Sequence, residues 1–181
     1  MNQNKKMEKR GKALLSDSSR CIGCFACETA CKLEHDLPPQ THPIRTITIG
    51  PLERDGRLVA TFQPVTCAHC ETPACVAACL CGAMQKREDG IVFSDLELCI
   101  GCQACAVACP FGIPHLNPEI GKIAKCDGCK DRVDSGLWPV CALRCPTGAL
   151  LFGSPARVVQ EKRQKEATRV ANRVLGNETS G

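Results

Sequence analysis

Hydrophobic and polar positions alternate in short bursts along this chain of 181 residues, with few long periodic runs. ALLSD at 13–17, IRTITI at 44–49 and LVATFQPV at 58–65 read as strands, and Met84 to Phe93 reads as a hairpin turning at Asp89-Gly90. Short helices are expected to begin near the third cysteine of each of four cysteine groups. From Ser154 the period changes. Ser154 suits an N-cap, Pro155 the first helical position and Gly176 the C′ position, bracketing a C-terminal helix over 154–176. Ala156, Val159, Ala167, Val170 and Val174 form a loose apolar stripe, interrupted at Gln160 to Glu166. Lys162, Arg163, Lys165, Arg169 and Arg173 make the rest of that helix basic. Two readings follow: the helix lies on its own body with a solvated basic face, or it is an arm that docks a partner. Residues 1–11 and 177–181 have the composition of disordered ends.

Composition changes the picture of the core. One Trp, five Phe and no Tyr cannot build a conventional aromatic core, whereas seventeen cysteines approach the level of cysteine-scaffolded folds. No apolar run reaches the roughly 18 residues of a membrane span. The first twenty residues carry charges throughout, with no apolar h-region and no twin-arginine pair, so a cytoplasmic location is expected. A reducing cytosol and an odd cysteine count disfavour a disulfide framework, and metal ligation takes its place.

The cysteines fall into four groups of four with one to spare. Group one is Cys21, Cys24, Cys27, Cys31; group two is Cys67, Cys70, Cys75, Cys79, with Cys81 close behind. Group three is Cys99, Cys102, Cys105, Cys109, followed by Pro110, and group four is Cys126, Cys129, Cys141, Cys145, followed by Pro146. Groups one and three have the spacing C-x2-C-x2-C-x3-C, the bacterial run for a 4Fe-4S cluster, in which the fourth cysteine serves a second cluster. Zinc is the main alternative metal, but a third cysteine three residues after the second is poorly suited to one tetrahedral ion. The formal charge of +4 counts thiols as neutral. Sixteen thiolates on four oxidised clusters would bring the total to roughly −4, which argues against nucleic acid as a partner.

CIGCFACETAC and CIGCQACAVAC match at eight of eleven positions with an offset of 78. PACVAACLCGAM and PVCALRCPTGAL echo each other as well, although group four inserts KDRVDSGLWPV between its second and third cysteines. The expected class is α+β: tandem ferredoxin-like units produced by duplication, with small sheets and short helices around the clusters over 12–153.

CxHC at Cys67–Cys70, ACP at Ala108–Pro110, KCDGC at Lys125–Cys129 and CPTGAL at Cys145–Leu150 resemble the four-cluster iron–sulfur subunit of molybdenum or tungsten pterin oxidoreductases and related hydrogenase and formate dehydrogenase complexes. The resemblance covers about residues 12–153 and leaves out the C-terminal helix. It implies a pseudo-twofold chain of four 4Fe-4S clusters with nested ligand sets. Cluster 1 would take Cys21, Cys24, Cys27 and Cys145, and cluster 2 Cys126, Cys129, Cys141 and Cys31. Cluster 3 would take Cys67, Cys70, Cys75 and Cys109, and cluster 4 Cys99, Cys102, Cys105 and Cys79. Some relatives have Trp where this chain has Cys102 and hold a three-iron cluster there, so Cys102 implies a full cluster. Leu80 stands where the family usually has proline, and Cys81 is an extra thiol: the two change the geometry or potential of the cluster held by Cys79, or Cys81 swaps in as a ligand, or it is a small buried residue with no metal role.

His69 lies between two expected ligands and reads as a packed side chain near a sulfur or as a proton acceptor on reduction. Trp138 either meets a partner or covers a cluster, and His35, His42 and His115 have no spacing that suggests a site. There is no GxGxxG or P-loop and no conspicuous nucleophile or acid–base pair, so the chain is expected to be no enzyme by itself. The first reading is an electron-transfer subunit between a catalytic tungsten or molybdenum pterin subunit and a second redox protein or flavin subunit. The alternatives are a free cytoplasmic polyferredoxin, and self-assembly into a filament through the C-terminal helix.

Overall fold

The computed structural model describes residues 13–175, so both ends expected to be disordered, and Gly176, lie outside it. Four two-stranded antiparallel sheets carry the body: β1 (Ala13–Ser16) with β8 (Leu150–Gly153), β2 (Arg45–Arg54) with β3 (Arg57–Val65), β4 (Met84–Lys86) with β5 (Val92–Ser94), and β6 (His115–Asn117) with β7 (Lys122–Ala124). The β1–β8 pair, with Leu14 opposite Phe152, clasps the start of the body to its end. Between the strands lie α1 (Ala26–His35), α2 (Ala74–Ala77), α3 (Ala104–Ala108), α4 (Lys130–Asp134) and α5 (Val140–Leu143), and α6 (Pro155–Val174) follows. Helix α1 packs on α5, and α2 packs on α3.

Helices α1, α2, α3 and α5 begin where the cysteine spacing places them, next to the third cysteine of each group. The repeated peptides enter α1 and α3 through the same turn: Gly23 and Phe25 have φ of 67° and 57°, and Gly101 and Gln103 have 71° and 63°. Helices α2 and α5 both follow a proline, Pro73 and Pro139, which lacks the N–H that a helix start leaves unpaired. Gly101 combines its positive φ with a close approach, because a Cβ there would stand 2.2 Å from the Gly121 carbonyl oxygen. Gly101→Ala should therefore cost about 1–3 kcal/mol of stability and disturb the Cys99–Cys105 turn. Thermal unfolding and iron content of the purified variant check this.

Two strand predictions extend, and β6, β7, β8 and α4 are new. The ribbon β2–β3 runs past the Gly50-Pro51 break through a register shift between Ile49 and Leu52. It turns at Asp55 and Gly56, whose φ values of 53° and 75° suit a two-residue hairpin turn. Strands β6 and β7 are three residues each, too short to show alternation, and α4 sits inside the insertion of group four. Arg132 of α4 reaches Glu34 of α1 at 3.2 Å, and Arg87 reaches Asp134 at 2.6 Å, so the insertion is tied to both halves of the body.

Helix α6 corrects one expectation. Its stripe residues Ala156, Val159, Ala167, Val170 and Val174 are exposed, so the stripe does not lie on the body. The helix meets the body at β8 and at an anchor in which Lys165 reaches Asp17 at 2.5 Å and donates to Ser19 Oγ at 2.6 Å. The interrupted stripe explains this: without apolar residues between Gln160 and Glu166, no continuous face exists to bury.

The buried apolar residues form two small groups built around thiols. One holds Cys27, Cys31, Ile44, Cys141, Ala142 and Leu150; the other holds Cys75, Met84, Val92, Cys105 and Ile123. Neither contains a buried aromatic ring.

Candidate metal centre

Folding brings the four cysteine groups together in two crossed pairs. Cys31 from the end of group one joins Cys126, Cys129 and Cys141 around a small cavity, whose other walls include Leu14, Pro43, Ile44 and Pro139. Cys109 from the end of group three joins Cys67, Cys70 and Cys75 around a second small cavity. Cys27 and Cys145 share the first apolar group, and Cys79, Cys99 and Cys105 share the second. Cys24 and Cys102 lie exposed at the surface, with Cys21 half-buried.

Backbone N–H groups point at the sulfurs because the turns between cysteines are tight. His69 N donates to Cys67 Sγ at 3.4 Å, Gly128 N to Cys126 Sγ at 3.5 Å, and Ala149 N to Cys145 Sγ at 3.2 Å. Met84 N and Ile123 N do the same for Cys79 Sγ and Cys99 Sγ, at 3.3 and 3.4 Å. Such donors stabilise negative charge on sulfur, so the loops are shaped for thiolates rather than for inert buried thiols. Four soft donors around an apolar cavity, with N–H groups on the sulfurs, fit an iron–sulfur cluster.

Two family models, each described as a 4Fe-4S dicluster domain, match residues 20–83 and 58–155. The chain belongs to the 4Fe-4S dicluster family. Two dicluster domains imply four 4Fe-4S clusters, for which sixteen of the seventeen cysteines suffice. A probable anaerobic dimethyl sulfoxide reductase chain of Escherichia coli is 44% identical over 162 residues, covering 86% of this chain and 77% of the relative. A second anaerobic dimethyl sulfoxide reductase chain of the same species is 46% identical over 144 residues, 76% of this chain and 70% of the relative. The thiosulfate reductase electron transfer subunit of Salmonella typhi is 42% identical over 142 residues, 77% of this chain and 74% of the relative.

In this dicluster protein, burial pushes the iron-free thiols up. Cys67 and Cys105 rise to about 11 and Cys129 to about 12, each chiefly because burial disfavours the thiolate. Cys31 and Cys141 rise further for the same reason, with Cys126 and Cys129 adding like-charge repulsion. These thiols hold their protons at neutral pH until a metal displaces them.

The fold gives His35 a role that its spacing did not signal, and it places His69 near a sulfur, as its position between two cysteines suggested. His35, without any spacing signal, places Nε2 3.4 Å from Cys129 Sγ and 3.7 Å from Asp127 Oδ1. The three side chains form a compact group, but Cys129 lines the first cavity, so the group belongs to that cage. His69 is held near pH 4 by burial and by the charge of Lys125, so the ring is neutral. Its Nδ1 accepts the Val92 N–H at 2.9 Å, which puts the proton on Nε2, 3.7 Å from Cys126 Sγ. His69 therefore donates to a sulfur of group four while sitting between two cysteines of group two.

The remaining candidates resolve more simply. His115 Nε2 accepts from His42 N at 2.9 Å, away from the sulfurs. Trp138 packs edge-on against Phe152, with ring centroids 6.4 Å apart. Cys81 is half-buried rather than buried, with its Sγ 3.7 Å from Cys79 Sγ, and Leu80 is 87% exposed. Chain direction explains both: after α2 the backbone turns outward through Gly82 before entering β4.

Proposed function

We propose that this protein is the electron-transfer subunit of an oxidoreductase, passing single electrons between a large catalytic subunit with a molybdenum or tungsten pterin and a second redox protein or flavin subunit. The observation that carries the reading is the shared wall between the two four-cysteine cavities: Lys125 lines both. Bound 4Fe-4S clusters supply one-electron carriers whose potentials span roughly −700 to +450 mV. The ligand sets we assign are Cys21, Cys24, Cys27 and Cys145; Cys126, Cys129, Cys141 and Cys31; Cys67, Cys70, Cys75 and Cys109; and Cys99, Cys102, Cys105 and Cys79. The two cavities and the shared apolar groups support these sets. The matching turns before α1 and α3 support a duplicated unit with pseudo-twofold arrangement over 12–153.

A subunit is favoured over a free polyferredoxin by the apolar surface of the β2–β3 ribbon. Leu52 and Leu58 are 61% and 77% exposed near its tip, with Ile49 and Val59 beside them, a patch that a partner would cover. A cytoplasmic location, the expectation from the charged N-terminal residues, belongs to this proposal. No helix among the described residues is long and apolar enough to cross a membrane.

The test is an anaerobic native pull-down with iron, molybdenum and tungsten counted in one sample. The expected result is about sixteen irons per chain and a stoichiometric large subunit carrying molybdenum or tungsten. A lone chain with full iron would establish the free ferredoxin, and zinc in place of iron would overturn the site. Self-assembly through α6 is the finer part of this proposal, supported by the exposed Val170, Val174 and Leu175. Deleting residues 155–181 should reduce the native particle size, and an unchanged size removes that part.

His69 supplies a separate prediction. His69→Phe removes the N–H aimed at Cys126 Sγ, so the cluster held by Cys126 should be harder to reduce. Its midpoint potential should fall in an EPR-monitored titration while at least two others stay in place.

A further inference from the structure

Lys125 is a buried cation without a carboxylate. It is 9% exposed, and its ammonium donates to the carbonyl oxygens of Val92 and Cys126. Among the described residues no Asp or Glu pairs with it. Two carbonyls satisfy two of its three N–H groups but supply no counter-charge, and burying an unpaired ammonium is costly. A lysine so placed needs anions close by.

The cavities give them. Lys125 lines the cavity of Cys31, Cys126, Cys129 and Cys141 and also that of Cys67, Cys70, Cys75 and Cys109. Thiolate-ligated 4Fe-4S clusters carry net negative charge, which grows by one on reduction. We propose that Lys125 is the shared counter-ion of these two clusters, a positioning residue that makes both easier to reduce and matches them to one another. Its anchorage explains how one side chain serves both. The Val92 carbonyl belongs to β5, next to His69 of group two, while the Cys126 carbonyl belongs to group four, so the ammonium is fixed at the seam of the two halves. A lysine on a surface loop would be screened by water and would favour neither cage.

This inference rests on the proposed ligand sets, and the experiment separates the two. Wild-type protein purified anaerobically is first counted for iron; fewer than about sixteen per chain would undo the ligand sets before any variant is made. Lys125→Met, which keeps the stem and removes the charge, and Lys125→Arg, which keeps the charge, are then titrated potentiometrically with EPR detection. The expected result is that in Lys125→Met two of the four midpoints fall, each by more than a tenfold change in the one-electron reduction equilibrium, about 59 mV. The other two move less, and Lys125→Arg restores both. Unmoved midpoints in fully loaded Lys125→Met, or equal shifts in both variants, would overturn the proposal. If Lys125→Met cannot be loaded while Lys125→Arg can, charge is required and the proposal stands. If neither loads, shape rather than charge is required and it falls.

Discussion

Stripping the iron anaerobically from the purified protein should abolish the fold of residues 13–153. The physical reason is the make-up of the interior. Of nineteen apolar residues buried in the described chain, seven are cysteines of the proposed ligand sets, and no Phe or Trp is among the rest. The helices inside the body are four to ten residues long and each sheet has two strands, lengths that are not stable on their own. Without clusters, the N–H groups aimed at sulfur and the buried Lys125 would face no charge. Circular dichroism should show loss of ordered structure, and limited proteolysis should cut within the body. A cooperative thermal transition in iron-free protein would refute this.

pH acts on the two forms with opposite signs. In an iron-free fold, Cys67, Cys105 and Cys129 titrate above an ordinary thiol, so whatever structure remains is favoured below the ordinary thiol value. That contribution is lost as pH rises toward about 11 to 12. The iron-loaded fold needs thiolates, and protons compete with iron for them, so it weakens as pH falls. Iron release should therefore accelerate in acidic buffer, followed by loss of the cluster absorbance.

The second large effect concerns the two neighbouring thiols of group two. Cys79→Ser should remove about four of about sixteen irons, whereas Cys81→Ser should remove none. Cys79 lies with Cys99 and Cys105, and its sulfur accepts the Met84 N–H at 3.3 Å. Cys81 lies on the outward turn, and its thiol is lowered chiefly by the backbone N–H of Ala83. A lowered thiol 3.7 Å from Cys79 is nevertheless placed to substitute. Cys79→Ser that keeps its full iron, and loses it only with Cys81→Ser added, would establish the swap.

Legibility followed the range of the interaction that fixes each feature. Helix starts at the third cysteines were readable because proline or a left-handed turn imposes them within a few residues. The β2–β3 ribbon was cut short because Gly50-Pro51 reads as a break, whereas the pairing continues on its far side through a register shift. The half-burial of Cys81 and the exposure of the α6 stripe depend on what lies opposite, which no local pattern contains.

The sequence by itself determined the metal chemistry, the number of clusters and the family, because ligand type and spacing within a turn are covalent properties of the chain. Tertiary structure decided which charged and polar side chains act on the cages. His35, His69 and Lys125 reach cysteines or walls of groups distant in sequence, and His69 serves a sulfur 57 residues away. Such placements come from the packing of α1 on α5 and α2 on α3, and through-space electrostatics depend on that packing rather than on order along the chain.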